Sequence, residues 1–269
     1  MPPIQERIHE QKELPFNPGK IVEIDGWPRW QTTVGQHQLT LDIVSVGRLN
    51  PEEPEIGIAS FVVMEQKQPF LKDMADLLSE SIVAHLPPRQ KVLLVTVESK
   101  GSHFCARVWD SLHEKISDRL EEKIVVFRKG TPKAYMQRPA LLENRVINSF
   151  SFSYCSITSS EKQEIVLSPR DIELLDAFKD NAVSVMVDDF LGRGGTVIAV
   201  SRYFEKLGLK PPSIVAVIGS DGTLYEKSFR NAGTTINSLP QPFPLRLPTF
   251  SRQPDQQFWQ ICYNPSYHG

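Results

Sequence analysis

Two adjacent carboxylates, Asp188 and Asp189, stand just before a glycine-rich turn in the run VSVMVDDFLGRGGTVIAVSRYFEKLG, residues 183–208. Ionised carboxylates only accept hydrogen bonds, so such a pair suits the vicinal hydroxyls of a sugar. Gly192, Gly194 and Gly195 let the backbone approach a bound group closely. If they open a helix, the unpaired N–H groups and the positive end of its dipole favour a phosphate. Thr196 adds a hydroxyl donor. Two acids beside a phosphate repel it, so their partner is something else, and phosphate with sugar implies a phosphosugar ligand.

The elements that must position these groups are legible on either side. Val183 to Val187 is short, apolar and β-branched, as expected of a buried parallel strand, while Val197, Ile198, Phe204 and Leu207 recur at helical spacing. The turn therefore joins a strand end to a helix start. Two more strand ends carry cations. Lys91 to Val97 is a second apolar strand, followed by Glu98, Ser99, Lys100 and Gly101, and then by Phe104, Val108, Leu112 and Ile116 at a spacing of four. Ile124 to Phe127 is a third strand, ending in Arg128, Lys129 and Gly130. From Thr131 to Ser160 serines are frequent and long apolar runs are few, as expected of a loop or weak hairpin moving over a site, with Ile165 to Leu167 as its returning strand.

The run VMVDDFLGRGGT resembles the phosphoribosyl-diphosphate binding motif of type I phosphoribosyltransferases; its DDFL wording is closest to xanthine phosphoribosyltransferases and the related purine repressors, and the chain as a whole resembles purine phosphoribosyltransferases of the xanthine or adenine type and the related purine-repressor domain. It departs where many members carry Ala-Thr or Thr-Thr and this chain has Gly192 and Arg193; phosphate contact and solvent exposure both stay open for Arg193. Glu98-Ser99-Lys100-Gly101 resembles the family's pyrophosphate loop, and Arg128-Lys129 the pair preceding its mobile flap.

The resemblance implies an α/β fold: a twisted, mostly parallel sheet with helices on both faces, plus a β-rich N-terminal hood. It implies an enzyme that moves a 5-phosphoribosyl group from phosphoribosyl diphosphate to a nucleobase, purine or purine-like, and releases pyrophosphate with Mg²⁺ as cofactor. Asp188, Asp189 and Lys129 would be catalytic, with the two aspartates holding the metal directly or through water. Phe190, Leu191, Gly192, Arg193, Gly194, Gly195, Thr196, Glu98, Ser99, Lys100, Gly101 and Arg128 would bind the substrate. Xanthine, hypoxanthine, guanine and adenine all stay open as acceptors. The alternative is a regulator that senses phosphoribosyl diphosphate without chemistry, which would ordinarily add a basic DNA-reading helix, whereas residues 21 to 64 read as strands.

Composition sets the outer bounds. The chain has 269 residues, 40% of them hydrophobic, with a formal net charge of -2, so it can build a core and has no general attraction for nucleic acid or membrane. It shows neither a bilayer-length apolar run nor a secretory signal, so a cytoplasmic location is expected. Cys105, Cys155 and Cys262 are odd in number and widely spaced, which suggests neither a disulfide framework nor a zinc site. Neither a G-x-x-x-x-G-K-[ST] loop nor a G-x-G-x-x-G fingerprint follows a strand.

The expected organisation is an irregular arm at 1–19, a β-rich hood at 20–68, a phosphoribosyltransferase-like core at 69–238 and an irregular tail of prolines and aromatics at 239–269. Within the core, Met74, Leu77, Leu78, Ile82 and Leu86 mark a helix stopped by Pro87-Pro88, and Ile214 to Ile218 a later strand. A homodimer, as is common in the family, is expected.

Overall fold

The structure is a computed structural model that describes residues 19–47, 51–60, 66–98, 100–130, 152–155, 162–191, 194–220, 245–246 and 248–262. The chain divides into two compact units, residues 1–61 with 242–269, and residues 62–241.

In the first unit β1 (Lys20–Ile24), β2 (Trp27–Val34), β3 (His37–Gly47) and β4 (Glu55–Ser60) follow one another as antiparallel neighbours. Asp25 and Gly26 make the first turn with φ of 54° and 76°, the left-handed pair that a two-residue hairpin demands. Alternation then sorts the faces. Trp30, Thr32, Val34, Leu39, Leu41 and Ile43 are buried, while Arg29 Nε bonds Asp42 Oδ1 at 2.7 Å on the other face.

A short strand, β11 (Leu245–Arg246), precedes β12 (Thr249–Arg252) and β13 (Gln260–Cys262). The segment from 239 was expected to be irregular, but β12 pairs antiparallel with β4 and with β13. Its prolines and aromatics follow no period; the open edge of β4 supplies the hydrogen bonds that local sequence does not. Buried Phe250 and Trp259 anchor it, and the Arg252 guanidinium lies 4.7 Å from the Trp259 ring while also bonding Glu55.

The second unit is mixed α/β. Its elements are α1 (Gln68–His85), β5 (Lys91–Val97), α2 (Lys100–Ile116), β6 (Val125–Lys129), β7 (Phe152–Cys155), β8 (Lys162–Val166), α3 (Pro169–Phe178), β9 (Ala182–Leu191), α4 (Gly195–Lys206) and β10 (Ile214–Ser220). The sheet order through this unit is β10-β9-β5-β6-β8-β7. The first four strands run parallel, and β8 and β7 are antiparallel additions. Val92, Leu93, Leu94 and Val95 of β5 are all within 1% of full burial, which is why that strand reads as a continuous apolar run rather than an alternation.

The helices are fixed by their apolar stripes. Phe104, Val108, Leu112 and Ile116 of α2 are buried, as are Phe70, Met74, Leu78 and Ile82 of α1. On α4, Tyr203 and Phe204 pack against Phe127 of β6 at centroid distances of 5.1 and 6.4 Å. The Tyr203 hydroxyl accepts the Leu167 N–H at 3.2 Å. The β5-α2-β6 and β9-α4-β10 crossovers leave the β5/β9 pair in opposite directions. Right-handed crossovers therefore put α2 and α4 on opposite faces of the sheet. No described helix is long and apolar enough to cross a membrane.

Helix α3 was not anticipated. Ser168 caps it by accepting the Asp171 N–H at 3.1 Å, and Pro169 fills the first helical position. The expected moving loop at 131–160 lies outside the described residues except for β7, which pairs antiparallel with β8 from Phe152↔Ile165 to Cys155↔Lys162.

Candidate functional site

The β9 strand lies between β10 and β5, and the chain leaves β9 and β5 in opposite directions, so their carboxyl ends form a topological switch point. Ligands of open α/β sheets bind in the crevice that such a reversal leaves. In register, Val95 stands beside both Met186 and Val125, and Val217 beside Asp188. The ends of β5, β6 and β9 therefore share one rim. Glu98 and Lys100 follow β5, Arg128 and Lys129 end β6, and Asp188 to Leu191 end β9.

Asp188 and Asp189 are half-buried and act on each other. Asp188 Oδ1 accepts the Asp189 N–H at 2.9 Å. Burial pushes the Asp188 carboxyl well above its usual range, repulsion from Asp189 adds to this, and Lys129 draws it back down. Burial also raises Asp189, against the hydrogen bond to Asp188 and the charge of Lys100. Both lysines are thus close enough to act on the acids through space.

Behind the acids the packing is tight. A Cβ on Gly101, in the first turn of α2, would lie 2.5 Å from Asp188 Oδ1 and 3.1 Å from Thr96 Oγ1. Thr96 is fully buried, and among the described residues its Oγ1 is the buried side-chain polar atom that lacks a hydrogen-bond partner. Cys105 lies behind them, its thiol pushed up by burial and then by the Asp188 charge. A thiol held in its neutral form is a poor nucleophile or metal ligand, so Cys105 acts as a small apolar residue.

The glycine turn delivers the helix start its composition promises. Gly194 is buried and caps α4 in the left-handed region, φ 72° and ψ 10°, and its carbonyl accepts the Ile198 N–H at 3.0 Å. Gly195 and Thr196 form the first helical residues, half-buried, where backbone N–H groups have no intrahelical acceptor. Leu191 is buried, and Phe190 pairs with Gly219 of β10. Gly192, Arg193 and Ser99 lie outside the described residues.

Lys100 and Gly101 belong to α2 rather than to a loop, so Gly101 serves close packing with Asp188. Glu98 bonds the end of β6: Oε1 to Arg128 Nη1 at 3.4 Å, and Oε2 to the Lys129 N–H at 3.3 Å. Thr96 and Asp171 were not singled out from sequence. Each left a trace there, a lone polar residue inside the apolar run VLLVTV and an acid three places after Ser168.

The donors at this rim suit a hard divalent cation such as Mg²⁺. Two adjacent carboxylates raised by burial, Asp188 also by repulsion from Asp189, gain from a nearby cation, and they offer it oxygen donors alone. No cluster of three or more His, Cys, Asp or Glu side chains able to hold a metal occurs among the described residues. Mg²⁺ commonly binds through one or two carboxylates plus waters and substrate phosphates, so the set fits.

The structure is similar to solved adenine phosphoribosyltransferases. The enzyme of Trypanosoma brucei, solved with AMP, pyrophosphate and ribose-5-phosphate, shares 17% identity and a TM-score of 0.41 over 64% of this chain and 60% of its own. That of Giardia lamblia, complexed with 9-deazaadenine, shares 16% and 0.42 over 70% and 91%, and that of Thermoanaerobacter pseudethanolicus 20% and 0.37 over 64% and 89%. The chain thus spans 60% of the trypanosomal enzyme's length. No protein-family model and no curated protein matches the sequence.

Proposed function

We propose that this chain transfers a 5-phosphoribosyl group from phosphoribosyl diphosphate to a nucleobase, purine or purine-like, and releases pyrophosphate. The observation that carries this reading is the hydrogen-bonded Asp188/Asp189 pair at the switch point, next to the left-handed Gly194 start of α4. An acid pair accepts sugar hydroxyls, and a helix start takes a phosphate. Their adjacency fits a sugar phosphate in one orientation.

The chain's own residues would divide the work as follows. The N–H groups from Gly194 to Thr196 and the Thr196 hydroxyl hold the 5′-phosphate. Asp188 and Asp189 hold the ribose hydroxyls and, as ionised acids, favour the positive charge that the sugar ring develops as its bond to diphosphate lengthens. Lys129 and Lys100 meet the negative charge gathering on the departing diphosphate. Bound at the acid pair, Mg²⁺ would neutralise diphosphate oxygens and orient the leaving group. No covalent intermediate on the protein is required. A cytoplasmic homodimer completes the proposal.

The test is pyrophosphate release from phosphoribosyl diphosphate with Mg²⁺ across a panel of purine and pyrimidine bases, with Asp188→Asn combined with Asp189→Asn as the blank. Release that depends on one base supports the transferase. Donor binding without release for any base supports the sensing regulator instead, and turnover retained by the double variant removes the site from this rim.

A further inference from the structure

The Glu98 side chain finishes the ladder between β5 and β6. Their paired register ends at Val97↔Phe127, and Glu98 N–H donates to the Phe127 carbonyl at 2.8 Å. In a continued parallel ladder the next rung runs from the Lys129 N–H to the Glu98 carbonyl. Here the Lys129 N–H donates to the Glu98 carboxylate, Oε2, at 3.3 Å. The backbone of Glu98 can then turn out of the sheet toward α2 while β6 stays anchored two residues past Phe127. On the other edge β8 pairs Val166 with Arg128 and Ile165 with Lys129, and the Glu164 carbonyl accepts the Gly130 N–H at 2.9 Å.

The same carboxylate separates two cations of similar appearance in the sequence. Arg128 meets Glu98 Oε1 at 3.4 Å and acts on Asp171 at the start of α3, so protein carboxylates answer it from two elements. Lys129 is exposed, and its charge acts on Asp188. A carboxylate at the rim of a diphosphate site would repel the ligand if it stood alone. Glu98 is instead engaged with a guanidinium and a backbone donor.

We propose that Glu98 is a positioning residue rather than a ligand contact: it ties Arg128 down as a structural cation and fixes the backbone from which Lys129 addresses the diphosphate. This rests on the phosphoribosyl-diphosphate reading above and assigns roles within that site. Arg128 then contributes to the shape of the rim, and Lys129 to the chemistry.

Two variants separate the functions of the carboxylate. Glu98→Gln keeps an acceptor for the Lys129 N–H and loses the charge, whereas Glu98→Ala loses both. In the alanine variant kcat should fall about tenfold or more, while the calorimetric Kd for phosphoribosyl diphosphate with Mg²⁺ stays within about threefold of the parent; glutamine should bring kcat back to within about threefold. A Kd that weakens in step with kcat would make Glu98 a ligand contact and overturn the proposal, as would a glutamine variant as slow as the alanine one. Amide hydrogen exchange at Lys129 decides independently of turnover: protection should drop in the alanine variant and persist in the glutamine variant, and equal protection in both overturns the rung. If the parent neither binds nor consumes phosphoribosyl diphosphate, the functional reading fails by itself and the Lys129 amide still judges Glu98.

Discussion

Gly101 faces Asp188 across a gap too small for any side chain, since a Cβ at 101 would lie 2.5 Å from Asp188 Oδ1 and 3.4 Å from its Cα. The first turn of α2 is thereby fitted to the end of β9. Gly101→Ala must push the Asp188 carboxylate aside, and with it the acceptor of the Asp189 N–H. Overpacking of this kind costs about 1–3 kcal/mol, partly relieved here because the displaced atom ends a side chain. Thermal unfolding should show that loss, and calorimetry should show donor affinity falling about tenfold or more because the acid proposed to hold the sugar has moved. Unchanged donor affinity would separate Asp188 from the ligand.

The acid pair links stability to pH in the direction opposite to a salt-bridged carboxylate. Burial raises both acids above the ordinary value of 3.8, and repulsion from Asp189 adds to the rise at Asp188, so the folded chain binds protons more tightly than the unfolded chain. Their contribution to stability is full below that value and is lost as pH rises through the raised folded values. Asp188→Asn should therefore stabilise the ligand-free chain at neutral pH, by about 1 kcal/mol, the scale on which single substitutions act. Ligand and cation want the ionised pair, so parent donor affinity should strengthen as pH rises through the raised folded values, with proton release on binding below them. Denaturant midpoints for parent and Asp188→Asn at several pH values, with donor titrations at the same pH, check both signs. A stability gap that does not close toward low pH would sink this account.

Lys129→Ala separates chemistry from folding. The side chain is exposed, so truncation should change stability by at most about 0.5 kcal/mol. Its charge acts on Asp188 and, in the proposed reaction, on the leaving diphosphate. Loss of one such stabilising charge lowers kcat on the order of 100-fold. Steady-state turnover with saturating base, alongside a melting curve, gives both numbers from one preparation. A rate within about threefold of the parent would move the diphosphate elsewhere.

Much of this site was legible because each motif sits where a simple local pattern changes. Val183 to Val187 and Lys91 to Val97 are unbroken apolar runs, and the charged or glycine-rich residues after them mark the carboxyl ends of β9 and β5. The spacing of Phe104, Val108, Leu112 and Ile116 showed the buried stripe of α2 for the same reason. What stayed hidden depends on partners far along the chain. Nothing near Thr249 announces a strand, because the edge of β4 almost two hundred residues earlier completes it. Gly101 reads as a loop glycine until β9 brings Asp188 against it, and no local pattern pairs the Glu98 carboxylate with the Lys129 N–H, which comes from the end of another strand. Helix α3 is a different kind of miss, since Ser168, Pro169 and Asp171 already held a capping signal in the sequence.

Gly194 gives a test of the helix start itself. Its φ of 72° lies in the left-handed region, which costs residues with a Cβ roughly 1–2 kcal/mol and Asn less. Gly194→Ala should destabilise the chain by about that amount, and Gly194→Asn by about half as much. Both side chains project from the point where the backbone turns into α4, so both should weaken donor binding, with the alanine variant also loosening the N–H groups at Gly195 and Thr196. Inorganic phosphate and phosphoribosyl diphosphate, titrated into each variant, distinguish the phosphate subsite from the rest of the ligand. If the α4 start holds the 5′-phosphate, the two titrations lose affinity together. If only stability changes while both affinities hold, Gly194 serves the fold alone and the phosphate must bind at another helix start or at the cations of β6.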